Sequence, residues 1–234
     1  MTKNPISKTE TILDRIVIHK REEIAERKQI LSLPEMREEL ENKEFKKTLK
    51  TFEQALLTPL CGDIAIIAEI KRASPSAGLI KNNVSAAQQA LAYEAGGADA
   101  ISVLADHNFF QGSLADLEEV GQTVGVPVLC KDFIVDPYQI YEARLMGSSA
   151  VLLIASILSA EAIEQYLAIA KSVNLDCLVE IHNEEELEKV LKTSANIIGI
   201  NARDLKTFTI NLNAIIELAK KIPSQKILVA ESGV

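Results

Sequence analysis

A chain of 234 residues, 47% hydrophobic and 25% charged, has the size and balance of one α/β barrel or two small globular domains. A formal net charge of −8 with no basic block argues against nucleic acid or an anionic membrane surface as a partner. No apolar run reaches the length of a membrane span, and the N-terminus lacks the apolar core of a signal peptide. The three cysteines (Cys61, Cys130 and Cys177) are widely spaced and fit neither a disulfide framework nor a zinc pattern, so free thiols in a reducing cytoplasm are expected.

Residues 1–60 are helical in character. Thr11 to Ile30 is charge-rich with a partial apolar stripe at Ile12, Leu13, Ile16 and Ile24; Pro34 opens a short helix over Glu35 to Asn42; Thr51 to Leu57 supplies another turn or two. They are read as an N-terminal extension that caps a barrel or overhangs its active site.

From Ile64 the chain alternates. Apolar runs recur at Ile64–Ile70, Ala100–Ala105, Val126–Cys130, Ala150–Ala155, Asp176–Ile181, Ile197–Ile200 and Lys226–Ala230. The first is of the kind that forms a strand buried on both faces. Helix signals lie between the runs: Ser85 with Gln88 as a capping box, Asp136-Pro137 as N-cap and first helical residue, Ser159, Asn183 with Glu186, and Asn211. Gly96-Gly97 and Gly147 close two of these helices.

Such a βα repeat, with a period of roughly 25 residues, demands parallel strands and right-handed crossovers. No Gly-x-Gly-x-x-Gly follows the first run, which weighs against a dinucleotide fold, and polar residues at nearly every strand end favour a barrel. The expected architecture is a (β/α)8 TIM barrel over residues 61–234, preceded by the N-terminal helical extension. Only strands one to seven of eight are counted, so the last βα unit is expected to belong to a longer natural chain.

Chemistry-bearing residues gather at the carboxyl ends of these runs. Glu69 and Lys71 are two apart and leave the first strand on one face, just before the loop at Ser74, Pro75, Ser76 and Gly78. Lys131 ends the third run; if it points inward, Cys130 faces the helices. Glu180 and His182 share a face, as do Asn201 and Arg203, and Glu231-Ser232-Gly233 ends the seventh run. Each has a plainer reading: Lys71 and Glu69 as a structural ion pair, Lys131-Asp132 as a solvated strand end, Arg203-Asp204 as a local pair, Ser232-Gly233 as a turn. Glu180 is hardest to explain so, because an apolar run surrounds it. The histidines lie on dissimilar segments, so no metal set is expected. Jointly these cations, carboxylates and neutral donors suit an anionic substrate and proton transfers at carbon or oxygen.

Glu-Ile-Lys-Arg-x-Ser-Pro-Ser-x-Gly at 69–78 resembles the first-strand signature of indole-3-glycerol phosphate synthases. In the same order as in that family come Phe109-Phe110-Gln111-Gly112-Ser113, Cys-Lys-Asp-Phe-Ile at 130–134, Val-Leu-Leu-Ile at 151–154, Leu-Val-Glu-Ile-His at 178–182, Gly-Ile-Asn-Ala-Arg-Asp-Leu at 199–205 and Ala-Glu-Ser-Gly at 230–233. The resemblance implies decarboxylating ring closure of 1-(2-carboxyphenylamino)-1-deoxyribulose 5-phosphate to indole-3-glycerol phosphate, carbon dioxide and water, in tryptophan biosynthesis. It implies Lys131 as general acid, Glu180 as general base of the dehydration, and Lys71 as holder of the anthranilate carboxylate and second acid. It implies Glu69 and Asn201 as orienting residues. Ser74, Arg203, Glu231, Ser232 and Gly233 are implied as substrate contacts, and Phe110 and Phe133 as the apolar ring pocket. No cofactor or metal is implied; the partner is a small phosphorylated molecule, and a cytoplasmic monomer is expected. The family's seventh helix, its eighth strand with a Gly-x-Ser phosphate loop and its eighth helix have no counterpart in the sequence. Rival readings are another phosphosugar barrel enzyme of the tryptophan or histidine pathways, a glycosidase using Glu69 and Glu180, and a non-catalytic barrel fragment.

Overall fold

The computed structural model describes residues 11–74, 78–79, 85–203 and 210–233; the side chains of Ser74, Leu79 and Ala214 lie outside that description. Seven strands form one parallel sheet in sequence order: β1 (Ile67–Ile70), β2 (Ala100–Leu104), β3 (Val128–Lys131), β4 (Ala150–Ile154), β5 (Asp176–Ile181), β6 (Ile197–Asn201) and β7 (Ile227–Glu231). A single cavity takes Glu69, Leu104, Lys131, Ile154, Glu180, Asn201 and Glu231, one from each strand, so the sheet curls around it. The strand period of two then sorts the apolar residues into two layers. Leu129, Leu152, Leu178 and Ile197 fill the inside, while Val103, Cys130, Leu153, Val179 and Ile198 pack outward under the helices. Cys130 therefore faces away from the cavity that Lys131 enters, as the alternation predicts.

The first three helices wrap this sheet at both ends. Helix α1 (Ile12–Ile30) starts at Thr11, whose hydroxyl and the Asp14 carboxylate close a capping box. Its Ile12, Leu13 and Ile16 line the cavity, so this helix overhangs the strand mouths. Helix α2 (Leu33–Asn42) places Met36 against Tyr138, Tyr141 and Leu145 of α7 (Tyr138–Leu145). Helix α3 (Phe52–Leu57) buries Phe52 completely among Ala100, Ala150 and Ile197, which begin their strands, so it plugs the opposite end. The Glu53 N–H donates to Asp176, at the start of β5, over 2.9 Å and pins that plug.

The remaining helices are the crossovers: α4 (Ala86–Ala95), α5 (His107–Phe110), α6 (Leu114–Thr123), α8 (Ala160–Ser172), α9 (Glu184–Val190) and α10 (Leu212–Ala219). Ser85, Ser113, Ser159 and Asn183 each accept the N–H three residues on, as N-caps do. Among the described residues no helix is long and apolar enough to cross a membrane.

Several expectations need correction. Strand β1 starts at Ile67 rather than Ile64, because the Asp99 carboxylate takes the N–H groups of Leu60 and Ile66 and holds the approach outside the ladder. Ile64 and Ile66 are 76% and 53% exposed. Nor is β1 buried on both faces: Ile67, Ala68 and Glu69 are half-buried, and among the described residues β1 pairs with β2 alone. Ala73–Ser74 and Gly78–Leu79 pair as a small antiparallel ribbon in the following loop. In α7, Pro137 is the cap rather than the first helical residue, and the Asp136 carboxylate accepts from the Tyr138 N–H. The Ser85 cap lacks the reciprocal half of a capping box. Asn211 precedes α10 without a side-chain cap bond.

Candidate active site

The cavity at the carboxyl ends of the strands has a volume of about 400 Å³. Lys131 stands at its centre. The β3 register carries its ammonium inward, 2.5 Å from Glu231 Oε2, 3.5 Å from Glu69 Oε2 and 4.0 Å from Glu180 Oε2. These carboxylates come from β7, β1 and β5, so one cation ties three sides of the barrel. Burial alone would lower the Lys131 pKa; the three carboxylates and the hydrogen bond to Glu231 outweigh it and hold the lysine charged.

Glu69 bridges the two lysines: its other oxygen lies 2.5 Å from Lys71 Nζ. Burial opposes ionisation of Glu69, but Lys131 and Lys71 together keep its pKa below the ordinary carboxylate value. Glu180 behaves oppositely. Burial first, and the Glu231 charge second, push it up to about 7, against the pull of Lys131, His182 and an Asn201 hydrogen bond. Two carboxylates beside one lysine thus differ in their readiness to hold a proton, a division that suits acid–base work.

The Asn201 side-chain oxygen also accepts the Arg203 backbone N–H over 3.0 Å, and both residues line the cavity. Phe110 from α5 and Phe133 after β3 meet with ring centroids 5.9 Å apart and form an apolar wall with Ile12, Leu13 and Ile16. Ser232 and Gly233 line the rim with φ of 64° and 78°. A Cβ on Gly233 would press on Ile210, so this turn favours glycine.

The structure thus gathers Glu69, Lys71, Phe110, Lys131, Phe133, Glu180, Asn201, Arg203, Glu231, Ser232 and Gly233 around one cavity. The side chain of Ser74 and all of Pro75, Ser76, Asp204 and Leu205 lie outside the described residues.

Sequence reasoning missed three supporting features. On β6, a Cβ at Gly199 would collide with Glu231 Oε1 and crowd Leu178, so the glycine makes the room in which Glu231 reaches Lys131. A glycine inside an Ile-rich strand was the available signal. Lys20 of α1 is fully buried, 3.0 Å from both Asp106 and Asp132 and 2.9 Å from Glu23. Its signal was a charge at four-residue spacing between Ile16 and Ile24. Finally, His182, expected on the same face as Glu180, is also held by Glu186 four residues on, a partner not foreseen.

Comparisons with known proteins agree with this geometry. The profile described as "Indole-3-glycerol phosphate synthase" matches residues 13–234. The indole-3-glycerol phosphate synthase of Endomicrobium trichonymphae is 47% identical over 198 residues, covering 85% of this chain and 75% of its own length. That of Thermoanaerobacter pseudethanolicus is 43% identical over 226 residues, covering 95% of this chain and 83% of its own. Among solved structures, the 2-keto-3-deoxy-6-phospho-gluconate aldolase of Zymomonas mobilis matches with a TM-score of 0.54 at 12% identity. That match covers 79% of this chain and 77% of the aldolase, and bears on the fold alone. With its cavity, its order of strand-end residues and these relatives in agreement, the chain belongs to the indole-3-glycerol phosphate synthase family.

Proposed function

We propose that this cavity performs the decarboxylating ring closure of 1-(2-carboxyphenylamino)-1-deoxyribulose 5-phosphate with Lys131 as acid and Glu180 as base. The observation that carries the reading is the Lys131 ammonium, held charged among Glu231, Glu69 and Glu180 in a cavity with an aromatic wall.

The aromatic carbon bearing the carboxylate attacks the ketone carbon, and Lys131 protonates the ketone oxygen as the new C–C bond forms. Carbon dioxide then leaves, and its bonding pair restores the aromatic ring. The hydroxyl departs as water on a second protonation, for which Lys71 is placed, while Glu180 takes a proton from the neighbouring ring CH2. Two protons enter and one leaves, which balances the loss of the negative carboxylate as neutral CO2. Phe110 and Phe133 face the anthranilate ring, Lys71 and Arg203 its anionic groups, and the Ser232–Gly233 turn the phosphate. Glu69 and Asn201 set the lysines and Glu180 in place.

The test follows indole fluorescence, against low background because the chain has no tryptophan. Loss of a positioned acid or base costs about 10²- to 10⁴-fold in rate. Lys131→Ala and Glu180→Gln are each expected to lower kcat by at least about 100-fold. A variant within tenfold of the parent would remove that residue from the mechanism.

A further inference from the structure

His182 lies directly beyond β5, two residues from Glu180, with its ring turned toward the Glu180 carboxylate. Its ring stands between two carboxylates. Nδ1 is 3.1 Å from Glu186 Oε2, and Nε2 is 3.4 Å from Glu180 Oε1. Glu186 also accepts the His182 backbone N–H over 2.8 Å, and Asn183 donates to its other oxygen over 2.9 Å. The ring is therefore clamped from one side by a carboxylate that is itself fixed. On the other side Nε2 is buried with no hydrogen-bond partner among the described residues and faces the Glu180 carboxylate. A closure of about half an ångström would convert that contact into a charge-assisted hydrogen bond.

We propose that His182 is a positioning residue: its imidazolium, clamped by Glu186, faces Glu180 and keeps that carboxylate ionised to receive the substrate's proton. The inference rests on the reading of Glu180 as the base. The charged groups facing the pair are Glu186 from α9, Glu231 from β7, and Lys131 from β3, with Glu69 of β1 behind Lys131. Of these, only Lys131 is a cation, and it is shared among three carboxylates. His182 supplies the second positive charge that Glu180 needs where burial and Glu231 both favour its neutral form. Burial opposes protonation of the imidazole, but the Glu186 hydrogen bond and the charges of Glu180, Glu186 and Glu231 outweigh it and raise its pKa.

The sign of the effect follows. A base acts only when ionised, so turnover falls as pH drops through the Glu180 pKa. Removing a neighbouring positive charge raises that pKa and moves the acid limb of the kcat profile to higher pH. His182→Asn is expected to shift the limb upward by about one pH unit, an about tenfold deficit at low pH that shrinks as the pH rises. Glu186→Gln keeps the ring but weakens its charge, and is expected to shift the limb in the same direction. An acid limb that stays in place in either variant overturns the proposal. Should the variants fail to fold, an NMR titration of the unaltered protein decides it, since only three histidine signals are present. His182 is expected to be half-titrated above pH 6.5, the ordinary imidazole value, and half-titration below it overturns the proposal. Undiminished turnover in Glu180→Gln would instead overturn the assignment of the base, a distinct outcome.

Discussion

At the scale of single residues, the site depends on the space around charges as much as on the charges. Glu231 reaches Lys131 because Gly199 presents no Cβ. Gly199→Ala forces the carboxylate or the strand to move, and overpacking of this kind costs about 1–3 kcal/mol. The expected result is a lower denaturant midpoint together with a fall in kcat, measured by urea unfolding and the fluorescence assay. Unchanged values in both would show that Glu231 has another seat. The catalytic candidates themselves were legible in the sequence because a period of two assigns strand residues to faces. That count puts Lys131 and Cys130 on opposite faces, and the structure turns Lys131 into the cavity and Cys130 under the helices. Which carboxylate serves which lysine was not legible, since the partners of Lys131 lie on β1, β5 and β7.

At the scale of elements, α1 is held to the barrel by a buried charge cluster and an apolar face. Lys20 joins it to Asp106, which caps α5 by accepting from the Phe109 N–H, and to Asp132, beside Lys131. Burial works against the charge on Lys20, but Asp132, Asp106 and Glu23 raise its pKa all the same. Lys20→Met strands two buried aspartates facing one another, and breaking a buried pair from one side costs about 3–5 kcal/mol. Urea unfolding is expected to show a loss of that order, and adding Asp132→Asn is expected to recover part of it. A loss below about 1 kcal/mol would place Lys20 among weakly contributing surface pairs. The sequence marked the helix and its apolar stripe, but helical periodicity alone cannot say what lies across from a stripe. The start of β1 shows a similar limit: an apolar run continues through Ile64, yet the Asp99 carboxylate holds the N–H groups of Leu60 and Ile66 outside the ladder.

At the scale of the whole molecule, the buried carboxyls make stability depend on pH in a defined way. Burial raises Glu142 and Glu180 from 4.5 to about 7, so the folded chain binds protons that the unfolded chain has released between those values. Their contribution therefore weakens as pH rises across that window. His182, raised above 6.5, acts in the same direction above that value. Glu69, Asp116 and Glu186 are lowered, so their contributions are lost as pH falls through the acid range. The thermal midpoint is expected to be higher near pH 5.5 than near pH 7.5, with Glu142→Gln narrowing the difference. A midpoint that rises toward pH 7.5 would contradict this balance. The repeat of runs and caps made the parallel barrel legible at this scale. The α3 plug was not, because its one buried aromatic, Phe52, meets residues from distant strands.

The link between Lys131 and Glu231 spans 100 residues of sequence. A ribosome adds roughly 5–20 residues per second, so the lysine emerges roughly 5–20 s before the carboxylate nearest to it. Until β7 docks, Lys131 has only Glu69 and, later, Glu180 beside it. The three-sided clamp therefore cannot close before β7 joins β6, and its formation reports that β7 has docked. A nascent chain stalled before β7 would display strands and helices, but its central lysine would still lack its closest counter-charge.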